Sequence, residues 1–211
     1  MKGILDMSDL KTKTQKNKEN RADKMLDEAQ KIISEQGLSA FSARVLADKI
    51  GCSVGTIYNA YSDIDDLIMH VNSRTLVDLG SALLVTQSIA LKDDPLKRLL
   101  AAARIYLEFC QANPRRWAAI FEHRLEEGRE IPSWHLEDHY RLFTFIKEPI
   151  ADLKKDMSEE DMMVLARSLF SGVHGIISLG RQVRLQPLSH EVIWQQVELI
   201  VTSFVKGFAD A

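Results

Sequence analysis

Between Phe41 and Leu67 the chain carries two serine-led apolar runs split by a glycine, FSARVLADKIGCSVGTIYNAYSDIDDL. Val45, Leu46 and Ile50 recur at helical spacing behind Ser42, whose hydroxyl is suited to cap an orphan backbone amide, and this predicts a helix of about two turns. Gly51 stands where that helix must stop, because a residue without Cβ enters the left-handed conformation at little cost. Ser53 is placed to cap a second short helix, predicted over Val54 to Tyr61, with Ile57 and Tyr61 facing inward and Gly55, Thr56, Tyr58 and Asn59 outward. Two short helices around a glycine turn are the form of a helix-turn-helix, which lays its second helix in the major groove of DNA. Spacing alone fits equally well any all-helical protein whose short helices are joined by glycine turns.

The run LADKIGCSVGTIYNAYSDIDDL also resembles the signature of the TetR (tetracycline-repressor-like) family, through Leu46-Ala47, Gly51 to Ser53, Gly55 to Tyr58 and the second aromatic Tyr61. The resemblance extends over roughly Leu26 to Val71. It implies an all-α protein that binds double-stranded DNA, with Ser42, Arg44, Ser53, Val54, Gly55, Thr56, Tyr58, Asn59 and Tyr61 as DNA-binding positions. Where family members often carry basic or polar residues this chain has Val54, Ala60 and Ile64, so three potential phosphate anchors are missing. Phosphate neutralisation supplies most non-specific affinity, so positive charge must come from elsewhere. Lys11, Lys13, Lys16 and Lys18, uninterrupted by an acid, are one source. Residues 1–20 are expected to be a flexible basic arm that either is a solvated tail or reaches along the DNA backbone.

The formal net charge of −3 excludes whole-molecule attraction to DNA, so any affinity must be local. Cys52 and Cys110 are too few and too far apart for a zinc ribbon or a CxxC redox motif and read as two reduced thiols. The sequence lacks a nucleophile elbow, a P-loop and a Gly-rich dinucleotide loop, so it is read as neither an enzyme nor a cofactor binder. His135 and His139, four apart, offer two imidazoles without further donors, and no metal site is assigned. With no signal core and no long uncharged apolar run, a soluble cytoplasmic protein is expected, without membrane contact.

Helical periodicity continues to the end, giving about nine helices, no strand signal and no repeat. Helices are predicted over about Arg21 to Gln36 and Ile64 to Leu84, then from Asp94-Pro95, where a cap precedes proline at the first helical position. Asn113-Pro114 starts another, and the next, with Leu136, Tyr140, Phe143 and Ile150 on one face, contains Pro149, expected to kink or split it. Ser158 begins a helix to about Arg184, and a last one covers about Ser189 to Phe208. Residues 21–67 are thus expected as a helix-turn-helix domain and 68–211 as a helical effector-binding and dimerisation domain.

The last helix has one apolar stripe of Ile193, Val197, Ile200 and Phe204 and a second of Trp194, Val201, Val205 and Phe208, and the helix before it has Ser168, Gly172 and Gly175 where backbones could approach. Either a monomer buries both stripes or the second joins two chains; the resemblance favours a homodimer through the last two helices. VHGIISLG, Val173 to Gly180, and NPRRWAAIF, Asn113 to Phe121, resemble C-terminal segments of a family branch with a Val/Leu-His-Gly motif. Phe109, Trp117, Phe121, Tyr140, Phe143 and His174 are the candidate lining of an effector cavity, the alternative being aromatics that merely fill the core. The favoured reading is a dimeric transcription regulator, a repressor on a palindromic operator, released by a small apolar or amphipathic effector. The alternative is a helical ligand-binding or oligomerisation protein whose helix-turn-helix binds no defined operator.

Overall fold

A computed structural model describes residues 7–88, 94–182 and 185–209. Among them are nine α-helices, two short 3-10 turns and no strand. The helices are α1 (Met7–Gln36), α2 (Ala43–Ile50), α3 (Val54–Tyr58), α4 (Ile64–Leu83), α5 (Pro95–Ala112), α6 (Pro114–Glu122), α7 (Ser133–Leu153), α8 (Glu159–Gly180) and α9 (His190–Ala209). They form two compact units: residues up to Thr75 with Asn113–Glu130, and Leu76–Ala112 with the residues from Ile131 onward. The first unit takes in α4 as far as Thr75 and, out of sequence, the α6 segment.

In the first unit α1 starts at Met7, so the expected flexible arm is helical backbone from that residue on, and Met1 to Asp6 lie outside the described residues. Lys, Gln and Glu are good helix formers, and adding turns to an existing helix costs little compared with nucleating one. The core joins Met25, Ala29, Ile32 and Ile33 of α1 to Leu46, Ile57, Leu67 and Val71, and Ala119 of α6 is buried among them. Each fully buried aliphatic side chain contributes about 1.5–3 kcal/mol. Val54, Ala60 and Ile64, the three positions without basic residues, are partly buried against this same core.

Polar contacts fasten the α6 segment to this core. Asn72 donates through Nδ2 to the Ala119 carbonyl (3.4 Å), and Arg115 donates to the Glu35 carbonyl. Asp63 caps α4 by accepting from the Asp66 amide (2.8 Å), while Arg129 donates to both Asp63 (2.8 Å) and Asp65 (3.0 Å). His123 lies 3.0 Å from Asp65 through Nε2. Desolvation pushes the Asp63 carboxyl up, but the Arg129 hydrogen bonds and the Asp66 amide outweigh it and hold the pKa below the usual carboxylate range.

In the second unit α5 packs against α7 and α9, and α8 against α7 and α9. Asp94 caps α5 by accepting from the Lys97 amide (2.9 Å), as the Asp-Pro pair predicts. Pro149 neither splits α7 nor ends it, because the proline falls in the last two turns, where few intrahelical bonds depend on it. Arg98 is buried on α5 and bonds Glu148 (3.0 Å) and Asp152 (2.7 Å) on either side of that proline. Helix α8 ends at Gly180, earlier than predicted; Arg184 lies outside the described residues.

The two stripes of α9 divide differently from the sequence expectation. Ile193 and Val197 are buried as expected, but so are Val201 (1% exposed) and Val205, which the sequence places on the outer stripe, while Ile200 and Phe204 are only half-buried. Two helices, α5 and α8, pack on α9, so the buried face follows their line of contact. Gly172 and Gly180 make this approach possible, because a Cβ would meet the Ile200 side chain at 2.8 Å and Ile193 at 2.9 Å. Gly175 faces open space instead.

Candidate DNA-binding interface and ligand cavity

The reading element is built by its caps. Ser42 Oγ accepts from the Val45 amide (3.2 Å) to start α2, and Gly51, at φ 69°, ends it in the left-handed region. Ser53 Oγ accepts from the Thr56 amide (3.2 Å) and lies 2.9 Å from the Thr56 hydroxyl, so one side chain both starts α3 and orients Thr56. Helix α3 spans only Val54–Tyr58, shorter than predicted.

Arg44, Ser53, Gly55, Tyr58 (46% exposed) and Asn59 are exposed, Ser42, Val54 and Thr56 are half-buried, and α2 and α3 adjoin. Tyr61, named with the DNA-binding positions, faces inward as its spacing from Ile57 predicts. It is 7% exposed, its hydroxyl donates to the Ala22 carbonyl (2.9 Å), and burial raises its pKa to about 12. It fastens α1 beneath the reading element. Replacing Ser53 with Ala is expected to cost about 1 kcal/mol of stability. Urea unfolding measures that loss, and DNA affinity should fall with it because Thr56 loses its orienting partner.

The six residues named for an effector cavity are divided between the two units. Trp117 and Phe121, with ring centroids 5.4 Å apart, belong to the first unit, whereas Phe109, Tyr140, Phe143 and His174 belong to the second. The second unit holds an apolar cavity of about 80 Å³ that none of the six lines. Its walls include Leu83 of α4, Ala102, Ala103 and Tyr106 of α5, and Phe170 of α8. Two of the six stand just behind that wall: His174 shares a 2.9 Å hydrogen bond with the Tyr106 hydroxyl, and Phe143 packs edge-on to Phe170 at 5.6 Å. Periodicity already marks Leu99, Ala103 and Tyr106 as one face of α5; nothing in it reveals that Ala102 and Ala103 leave a space unfilled. His135 and His139 pack edge to face at 4.7 Å, and no group of three or more metal-ligating side chains occurs among the described residues.

Burial lowers the pKa of His174, so the imidazole is neutral at pH 7. A histidine with a depressed folded pKa binds fewer protons than the unfolded chain, so stability is lost as pH falls below the unfolded value of about 6.5. The melting temperature is expected to drop between pH 7.5 and pH 5.5, and by less in His174→Gln.

Two family descriptions match this architecture. Residues 25–71 match "Bacterial regulatory proteins, tetR family", and residues 99–202 match "Tetracyclin repressor-like, C-terminal domain". The chain belongs to the TetR family. Like other TetR proteins it is a DNA-binding transcriptional regulator and not an enzyme. Solved structures share the TetR fold at low identity. A protein of unknown function from Rhodococcus sp. RHA1 is 20% identical, with a TM-score of 0.68 over 88% of this chain and 93% of its own. The TetR family transcriptional regulator PfmR from Thermus thermophilus is 18% identical, with a TM-score of 0.58 over 84% and 97%. No curated protein matches the sequence.

Proposed function

We propose that this TetR protein is a cytoplasmic repressor that binds a palindromic operator as a homodimer and is released by a small apolar or amphipathic effector. The observation that carries the DNA part is the Ser53-capped α3, which leaves Tyr58 and Asn59 exposed beside Arg44 of α2. The dimer part rests on α8 and α9. Val164, Ser168, Ser171 and Leu179 (60% exposed) follow one face of α8, and Val192 and Leu199 (68% exposed) one face of α9. Helix α8 has the length and apolarity of a membrane span, yet only 22% of its most apolar window is buried within the chain. An apolar face of this kind, rimmed by Ser and Gln, is suited to pairing with its own copy.

The effector part rests on the apolar cavity and on α4, which contributes residues to both units. Two recognition helices of a dimer must enter successive major grooves about 34–36 Å apart, and a ligand that favours a differently spaced conformer releases DNA. A hundredfold loss of affinity needs a preference of about 2.7 kcal/mol, and operator DNA then weakens the ligand by the same factor. Selection of bound genomic fragments at physiological salt tests the reading. A single palindromic sequence is expected; binding without sequence preference would overturn it.

A further inference from the structure

The turn that follows the reading helix brings acid close to where DNA must lie. Asp63, Asp65 and Asp66 cap and open α4 directly after Asn59, the exposed residue that ends α3, and Ser62. At about 3.5 Å of chain per residue, Asp63 lies no more than about 14 Å from Asn59. A helix seated in the major groove has phosphates along both its sides, so these carboxylates stand within the field of the DNA backbone. Charges are screened over about 8 Å at physiological ionic strength and about 30 Å at 0.01 M. Burial does not hide the acids either, since the Asp63 side chain is 42% exposed and that of Asp65 25%. Their repulsion of phosphate acts on a head that already has Val54, Ala60 and Ile64 in place of basic residues.

Arg129 meets this cluster from the segment that follows α6. It donates through Nη2 to Asp63 (2.8 Å) and through Nη1 to Asp65 (3.0 Å), one guanidinium spanning two carboxylates. His123 stands 3.0 Å from Asp65 and His70 3.6 Å from Asp66, but an imidazole is charged only when protonated, whereas a guanidinium is always cationic. All of these residues belong to the first unit. The Arg129 side chain is itself partly open to solvent, and ion pairs of that kind add little to folding stability. Its charge is the larger effect, because it stands between two acids and a polyanion.

We infer that Arg129 serves DNA binding without touching DNA, as a built-in counter-charge that offsets the carboxylates at the start of α4 and keeps them from repelling the phosphates beside the reading helix. The inference takes the surface of α2 and α3 as the one that faces DNA.

Opposite signs on the two sides of the contact separate this role from a mechanical one. Removing the cation weakens DNA binding, whereas removing the acids strengthens it; a mere fastener would fail equally from either side. Asn at position 63 still offers an oxygen to the Asp66 amide, so the cap of α4 survives the change. The probe is a mixed-sequence duplex of about 20 base pairs, read by fluorescence anisotropy, because non-specific binding is electrostatic and needs no operator. Arg129→Gln is expected to weaken binding about fivefold at roughly 20 mM salt and by less than about twofold at roughly 150 mM, as screening removes the repulsion. Asp63→Asn with Asp65→Asn should tighten it by about fivefold or more at the lower salt. Arg129→Lys, which keeps the charge and loses the fork, should stay within about twofold of wild type even if its melting temperature falls. Weakening in both Arg129→Gln and the asparagine pair would overturn the inference, as would Arg129→Lys as weak as Arg129→Gln, or Arg129→Gln with wild-type affinity at low salt. If Arg129→Gln does not fold, Arg129→Lys and the asparagine pair decide. A wild type that leaves the duplex unbound at low salt would remove the DNA-facing surface itself, and this role with it.

Discussion

Replacing Leu199 with Glu is expected to leave the protein folded, monomeric at micromolar concentration, and about 100-fold or more weaker on its operator. Leu199 is an exposed apolar residue of α9, so the new carboxylate costs nothing within one chain. Across the proposed two-fold axis it meets apolar surface or its own copy, and an unpaired charge buried there is not tolerated. The DNA effect follows from linkage of two half-sites, since joining two binding modules strengthens binding by about 10²–10⁴ without any new contact. Sedimentation, circular dichroism and operator titration separate the three claims. A wild-type profile of monomer at micromolar concentration would end the dimer reading. The Val201 and Val205 side chains are the wrong place for this experiment, because charge there enters the core of a single chain.

The second large effect is expected from the first turns of α1. Changing Lys11, Lys13, Lys16 and Lys18 together to Gln removes up to four phosphate contacts from each protomer. Each contact contributes about 0.9 to the slope of log affinity against log salt, so the slope should fall by up to roughly 3.6 per protomer. The loss should be even across DNA sequences, since phosphate contacts position the protein without reading bases. Arg44→Ala should behave differently, with a cost of about 1–3 kcal/mol if it reaches a guanine edge and a relaxed preference at one base position per half-site. Quadruple-variant binding with unchanged affinity and slope would exclude these lysines from the interface. The missing charge at Val54, Ala60 and Ile64 makes the measurement informative: those side chains are committed to the head's core, so cationic contacts must be made by other parts of the chain.

Local signals in the sequence were sufficient wherever a structure is decided locally. Ser42, Gly51, Ser53 and Asp94 act as the caps their positions predict, because a cap involves only the next three or four residues. The family signature marks the reading element and helical spacing turns Tyr61 inward, but neither reveals its partner, the Ala22 carbonyl, 39 residues away in sequence. Long-range packing accounts for the other differences. Both stripes of α9 are apolar, and only the lines along which α5 and α8 meet it decide which is buried. Aromatic residues drew attention as cavity lining, yet the cavity exists where small residues, Ala102 and Ala103, fail to fill space. The charged anchors Arg129 and His123 lie far along the chain from Asp63 and Asp65, and nothing in their local spacing marks them.

The out-of-sequence α6 segment has a consequence for how the protein is made. Helices α1 to α3 leave the ribosome early, but the core they share with Ala119, and the Arg129 contacts with Asp63 and Asp65, require the chain as far as Glu130. At a synthesis rate of about 5–20 residues per second, the segment that completes this core emerges roughly 3 to 11 seconds after Thr75 does. During that interval the nascent reading element lacks the cover that Ala119 of α6 gives its core, so the helix-turn-helix is complete in sequence well before it is complete in packing.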